Sequence, residues 1–327
     1  MAPVRPCSRR GFEVAIICAL TKEADPVEAL FDNYWDEVER PPYDKARGDS
    51  NAYTTGSIGR HNVVLAYMPG MGKTSAAAVA ANCRISYPNI KLALVVGICG
   101  VVPFDPVSNA EIVLGDVIIS HGVSQYDVGR RHVSGEAVRK ETLTDPLGGP
   151  NSDIRTLLAR LEGPRGQKIL QAGIQNHLRV LQRDPDLSAE YPGAGRDQLY
   201  ESAYEHIRAR ESCRDCGCTG NVIPRRRLGQ GAHPPAVHYG LLASGDTVMR
   251  SGKHRDQFAL ERGIVGFEME GAGVWNVLPC VVIKGACDYA DSHKTKEWQT
   301  YAAATAAACM KEFLCHWDPP SSSQSVA

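Results

Sequence analysis

The stretch 67–81, YMPGMGKTSAAAVAA, places a glycine, a lysine and a threonine directly before an alanine-rich segment. A phosphate-binding loop uses that order to present backbone amides and an ammonium group to a nucleoside triphosphate. Such a loop also needs a glycine five positions before Gly72. Tyr67 stands there instead, and its side chain obstructs the tight wrap around phosphate. No strand ending in aspartate is placed to hold magnesium. Triphosphate hydrolysis is therefore disfavoured, and Lys73 reads as a helix-start residue. Gly70 and Gly72 either permit a plain turn or let the backbone approach a ligand.

Acidic residues at the ends of apolar runs offer other chemistry. Asp288 follows CVVIKGAC, Glu270 lies in GFEMEGAG, and Glu23 lies just beyond FEVAIICAL. A carboxyl group that emerges from the carboxyl end of a buried strand reaches the rim where open α/β sheets bind ligands. Glu270, between a strand and a helix, can accept hydrogen bonds from two neighbouring hydroxyls, which suits a ribose 2′,3′-diol. The alternative for Glu270 is a favourable charge at a helix N-terminus. Asp291, close to Asp288, is the alternative acid.

These residues need a scaffold of alternating strands and helices. Residues 12–20 form an apolar run typical of a strand buried on both faces, and TKEADPVEALF continues with helical spacing. AYTTGSIG and HNVVLAYMPG read as a hairpin, and KTSAAAVAANCRIS as a helix stopped by Pro88. KLALVVGICG and GDVIISHG are further strands. Helical periodicity returns near 152–161 and 167–182, strands at VHYGLLAS, GIVGFEM and PCVVIKGAC, and an alanine-rich helix at about 297–314. The expected fold is a single three-layer αβα domain over residues 12–315, with a mixed, largely parallel central sheet. Residues 183–236 are expected to form a surface insertion, and 1–11 and 316–327 to be disordered.

The chain has 327 residues, 36 basic and 37 acidic, with a formal charge of -1. No global field points to nucleic acid or a membrane surface. No run approaches the roughly 18 apolar residues of a membrane span, and no signal-peptide h-region follows the N-terminus. A soluble cytoplasmic protein is expected. Several of the eleven cysteines sit in apolar strand or helix patterns, as reduced buried thiols do. Cys213, Cys216 and Cys218, with His233 downstream, lack the second pair that makes a zinc ribbon convincing, so no metal is assigned. Arg130 and Arg131, and Arg225 to Arg227, read either as solvated charge or as contacts for a 5′-phosphate. Trp298 reads either as core or as a cover for a bound base.

The segments VAIICALTKEAD, GMGKTSAAA, LVVGICGVV, GDVIIS, LLASGDTVM, GFEMEGAG and VVIKGACDYADSH occur in the order seen in the nucleoside phosphorylase and nucleosidase superfamily. The chain most closely resembles the purine nucleosidase-like domains of fungi, often fused to signalling or repeat modules. More distantly it is similar to methylthioadenosine/S-adenosylhomocysteine nucleosidases. The resemblance implies Asp288 as general acid toward the purine N7, Glu23 positioning the attacking water, and Glu270 binding ribose with Met269 packing on the sugar and Glu268 organising the site. It also implies base contacts from Val248 and Met249. Gly70, Gly72, Gly97 and Ile98 would border the nucleophile. Val95 and Ile98 occupy positions where phosphorylases of the bacterial type carry an arginine and a serine, and the first turn lacks their glycine and arginine. Two apolar side chains cannot compensate a phosphate dianion. The implied activity is hydrolysis of a purine ribonucleoside, adenosine-like by preference, or of a nucleotide, without a cofactor, in a homo-oligomer such as a dimer or trimer. A phosphate-dependent phosphorylase and a non-catalytic purine-binding signalling module are the alternatives.

Overall fold

The computed structural model describes residues 3–36, 43–127, 150–208, 211–230 and 234–319, with the backbone of 130–131 and 137–138. In chain order the strands are β1 (Val14–Cys18), β2 (Asn33–Tyr34), β3 (Ala52–Ile58), β4 (His61–Tyr67), β5 (Leu92–Val101), β6 (Val117–Gln125), the short pair β7 (Arg130–Arg131) and β8 (Ala137–Val138), then β9 (Val237–Ser244), β10 (Ile264–Glu268) and β11 (Cys280–Asp288). The helices are α1 (Thr21–Glu28), α2 (Lys73–Ser86), α3 (Ser152–Glu162), α4 (Pro164–Leu181), α5 (Cys213–Cys216), α6 (Gly252–Arg262), α7 (Gly271–Trp275) and α8 (Gln299–His316).

Among the described residues, nine strands form one mixed sheet in the order β10-β9-β6-β11-β5-β1-β4-β3-β2. The pairs β4/β1, β1/β5, β5/β11, β6/β9 and β9/β10 are parallel, while β2/β3, β3/β4 and β6/β11 are antiparallel. The sheet then closes on itself. β10 pairs antiparallel with the end of β5, Phe267 opposite Gly100, and Asp288 of β11 also pairs with Gly100. This closure brings the ends of β5, β10 and β11 to one place.

Local sequence accounts for the elements. The hairpin β3/β4 turns at Gly59, whose φ of 57° is a left-handed conformation that glycine adopts without strain. α2 runs from Lys73 to Ser86 and is capped at Tyr87, ahead of Pro88, because proline disfavours helix at the preceding residue. Ser251 caps α6 by accepting from the His254 N–H, and Gly263 ends the helix at φ 64°.

α8 packs against β11, β5 and β6 on one side and against α1 and α4 on the other. A helix enclosed on all sides has no polar face, and Tyr301 to Met310 are all buried. Its alanines also permit close approach: a Cβ at Gly285 would lie 1.9 Å from the Ala302 carbonyl oxygen. α2 and α7 pack together, where Gly273 approaches the Lys73 carbonyl so closely that a Cβ would lie 2.2 Å away.

Two expectations about chain ends and insertions are corrected. Residues 3–11 are tied down rather than free: the Arg5 Nε–H donates to the Trp35 carbonyl at 3.1 Å, and the Tyr43 hydroxyl donates to the Pro6 carbonyl at 2.7 Å. At the other end Trp317 is buried, while 320–327 lie outside the described residues. The segment 183–236 is not confined to the surface. Asp197 accepts from the Leu114 N–H at 2.9 Å and from the Tyr289 hydroxyl at 2.6 Å, and Arg225 is buried with its guanidinium donating to the carbonyls of Pro103 and Ile112. Backbone groups, the Tyr289 hydroxyl and the ring faces of Phe104 and Tyr289, over which the Arg225 guanidinium lies, let this hydrophilic segment enter the interior.

Gly285→Ala is expected to destabilise the protein by about 1–3 kcal/mol or more, the usual cost of forcing extra volume into a packed contact. Urea denaturation measures this.

Candidate active site

One cleft of about 240 Å³ is lined by Glu23, Glu268, Met269, Glu270 and Asp288 together with Ile98, Val248 and Met249. Its remaining wall includes Met71, Cys99, Gly100, Tyr126, Phe267 and Lys294. The four acids come from α1, the β10/α7 junction and the end of β11, distant in sequence and joined by the closure of the sheet.

Glu23 is buried in the first turn of α1. Its Oε2 accepts from the Ala19 N–H at 3.1 Å and the Leu20 N–H at 2.9 Å, and its Oε1 accepts from the Ile98 N–H at 2.9 Å. Burial pushes its carboxyl above the ordinary value, opposed by the Lys284 ammonium. Gly97 serves this carboxylate directly: a Cβ there would lie 2.2 Å from Glu23 Oε1.

Glu268 accepts the N–H groups of Glu270 and Gly271 at 2.9 and 2.8 Å, fixing the turn from β10 into α7. Burial raises its carboxyl as well. Glu270 is buried and its Oε2 receives Lys284 Nζ at 2.9 Å; the same ammonium lies 3.9 Å from Glu268 Oε2. Burial works against the charge on Lys284, yet Glu270, Glu23 and Glu268 together hold it well above the ordinary lysine value.

Asp288 Oδ1 accepts from the Ala290 N–H at 2.8 Å and lies 2.9 Å from Lys294 Nζ. Its Oδ2 has the Cys287 thiol at 3.4 Å. Asp291 faces elsewhere, accepting the His293 N–H at 2.8 Å and standing 3.8 Å from the Arg255 guanidinium. Of the two aspartates, Asp288 is the one that shares the cleft with Glu23 and Glu270.

The glycine turn flanks the cleft and contributes Met71 to its wall, while Gly70 and Gly72 are not among the lining residues. Gly72, at φ 111°, caps α2, and the Lys73 N–H donates to Asp246 at 2.8 Å. The Lys73 ammonium is taken by Asp127, whose other oxygen accepts the Asp246 N–H at 2.8 Å. Lys73 is thus a helix-start residue in a local ion pair. Trp298 is fully buried against Tyr191 and Tyr301 and does not line the cleft. Arg227 pairs with Asp116 and Arg225 is occupied as described, so neither is placed to hold a phosphate. The side chains of Arg130 and Arg131 lie outside the described residues, as does His233.

Sequence reasoning overlooked both lysines. Lys284 carried a signal, a lone cation inside the apolar strand CVVIKGACD. Lys294 carried none, because it lies in a loop where lysine is ordinary. Tyr126 and Phe267, in edge-to-face contact with centroids 5.8 Å apart, were also overlooked as cleft walls.

The profile of the phosphorylase superfamily matches residues 13–315, and the chain belongs to that superfamily. It is 35% identical over 316 residues to a nucleotide-binding leucine-rich repeat (NLR)-like protein of Hyaloscypha variabilis, a match covering 94% of this chain and 30% of that protein. The chain therefore spans about a third of that relative's length. Among solved structures it shares the fold of Helicobacter pylori futalosine hydrolase, with a TM-score of 0.56 and 16% identity over 94% of this chain and 99% of the other. Streptococcus pneumoniae MTA/SAH nucleosidase in complex with 8-aminoadenine gives a TM-score of 0.55 and 20% identity over 93% and 99%. Among the described residues, no helix is long and apolar enough to cross a membrane.

Lys284→Met is expected to destabilise the protein by about 3–5 kcal/mol near neutral pH, because buried carboxylates lose their cation. The deficit should shrink at lower pH. Without the ammonium the folded carboxyl pKa values lie further above the unfolded ones, so stability is retained at low pH and lost as pH rises through the folded values. Urea denaturation of both proteins at about pH 5 and about pH 8 measures the change; a deficit independent of pH contradicts the assignment.

Proposed function

We propose that this protein hydrolyses the N-glycosidic bond of a purine ribonucleoside, or of its nucleotide, to free base and the ribose moiety. The observation that carries the reading is the meeting of Glu23, Glu270 and Asp288 in one cleft with walls of Ile98, Val248, Met249, Phe267 and Met269. Breaking C1′–N9 places positive charge on the ribose while the base gains an electron pair. Asp288 acts as the general acid, passing a proton to N7 of the leaving purine. Glu270 accepts from the ribose hydroxyls, with Met269 against the sugar. Glu23 holds the water that attacks C1′ and takes its proton. Glu268 keeps the β10/α7 turn in place. The step calls on no cofactor.

Water is favoured over phosphate on charge. Among the described lining residues the sole cation is Lys294, already paired with Asp288, and no arginine is present. Val95 is buried and Ile98 offers only its backbone N–H, which Glu23 takes. Desolvating a phosphate dianion without charged partners costs several kcal/mol. Adenine is the preferred base because a carboxyl at 288 can also accept from its exocyclic amine. We further expect a homo-oligomer, a dimer or trimer, in the cytoplasm. The NLR-like relative favours a second reading, a purine-sensing module that binds without turnover.

Adenosine, inosine, guanosine, AMP and ATP incubated with the protein and separated chromatographically decide among these. Free base and ribose, or ribose phosphate from a nucleotide, are expected in phosphate-free buffer, with Asp288→Asn slower by roughly 10²–10⁴-fold. Ribose 1-phosphate appearing only with phosphate identifies a phosphorylase. Ligand-dependent stabilisation without base release identifies the sensing module.

A further inference from the structure

Beside the cleft lies a larger one of about 710 Å³, which shares Cys287, Asp288 and Lys294 with it and is bordered by Cys213 and His293. At that border, one ligating atom each from His206, Cys213, Cys218 and His293 lie within 4.8 Å of one another. We propose that these four side chains bind a structural zinc ion that fastens the 183–236 segment to the loop following β11.

The donor set is two sulfurs and two imidazole nitrogens, the composition of a closed tetrahedral zinc site. The spacing agrees with it. Zinc–sulfur and zinc–nitrogen bonds of about 2.3 and 2.0–2.1 Å give sulfur–nitrogen edges of about 3.6 Å in a tetrahedron. Cys213 Sγ lies 3.5 Å from His206 Nδ1 and 3.4 Å from His293 Nδ1, and Cys218 Sγ lies 3.3 Å from His206 Nδ1.

Both imidazoles are also held from behind. His206 Nε2 lies 2.9 Å from the Glu211 carbonyl and His293 Nε2 lies 3.1 Å from the Tyr204 carbonyl. A carbonyl can only accept, so each Nε2 carries the proton and each Nδ1 lone pair faces the sulfurs, the arrangement by which outer hydrogen bonds orient ligating histidines. The backbone presents the thiols together: Ser212 caps the single turn of α5, Gly217 at φ 70° reverses the chain, and the Cys218 N–H donates to the Cys213 carbonyl at 3.0 Å. Cys216 stands beside the set, 3.3 Å from Cys218 Sγ and 3.6 Å from the outer nitrogen of His206.

The segment also needs such a fastening. Among its described residues, none from 201 to 224 is buried, so apolar packing supplies little of its order. Zinc binding would release two thiol protons to solvent and join residues 206–218 to His293, next to the lysine that pairs with Asp288. The thiols alone, CRDCGC, lacked two nitrogen ligands. His206 and His293, distant in sequence, supply them, so the zinc-free expectation from spacing is replaced by this proposal.

The test is metal analysis of the full chain purified under reducing conditions without a histidine tag. About one zinc per chain is expected, retained in Cys216→Ser and lost in Cys213→Ser. Co²⁺ added to reduced, metal-stripped wild-type protein should produce thiolate-to-metal absorption in the near ultraviolet, and chelation should lower the Tm of wild type but not of Cys213→Ser. Only trace zinc together with no cobalt spectrum on the wild-type chain overturns the proposal, whether or not the variants fold. Loss of zinc in Cys216→Ser with retention in Cys213→Ser overturns the ligand set.

Discussion

A single buried ammonium holds the cleft together. Lys284 rises from the middle of a strand that is otherwise uncharged up to its last residue, Asp288, into a space bounded by the carboxyl groups of Glu270, Glu23 and Glu268, with Glu270 at 2.9 Å. Each acid alone would be expensive to keep ionised away from water, and the lysine would be equally so. Together they offset much of that cost, and backbone amides contribute further: three N–H groups on Glu23 and two on Glu268. The arrangement fixes geometry as well as charge. With Lys284 and the amides bonded to them, the carboxyl groups have little freedom to turn, so in the proposed reaction the sugar would meet acceptors that are already oriented.

Asp288 belongs to a different electrostatic neighbourhood. It is reached from the cleft but also from the adjoining 710 Å³ opening, and its partner Lys294 borders both. The site therefore has an inner end where charge is balanced out of contact with solvent, and an outer end where an ion pair meets it. Such a division suits the proposed hydrolysis, in which the sugar would be held rigidly while a proton is replenished after each turnover.

Much of this was legible from residue order. Apolar runs became β1, β5 and β11 because strands covered on both faces need no alternation, and turn residues marked the hairpin at Gly59 and the stop before Pro88. The acids at strand ends were visible for the same reason, since a charge next to such a run must lie where the strand leaves the core. Side chains whose partners are remote were not legible. Glycine at 97 read as a residue bordering the nucleophile, whereas its role in the fold is to leave room for Glu23. The polar composition of 183–236 indicated exposure, but Asp197 enters the interior on the Leu114 amide and the Tyr289 hydroxyl, and Arg225 on the carbonyls of Pro103 and Ile112 and the ring faces of Phe104 and Tyr289. The alanine content of α8 indicated helix propensity, while its tighter use is direct contact with Gly285 of β11.

The return of β10 onto β5 also bears on how copies of this chain can meet. A strand row that ends in open air invites another strand to add to it. Here one side of the row is consumed by that return. On the other side β2 is two residues long, and beyond it the Asp36 carboxylate takes the Thr55 N–H while the Thr55 carbonyl receives the Trp35 N–H. Among the described residues, one border is closed and the other offers a strand of only two residues, which leaves little sheet edge for another copy of the chain to extend.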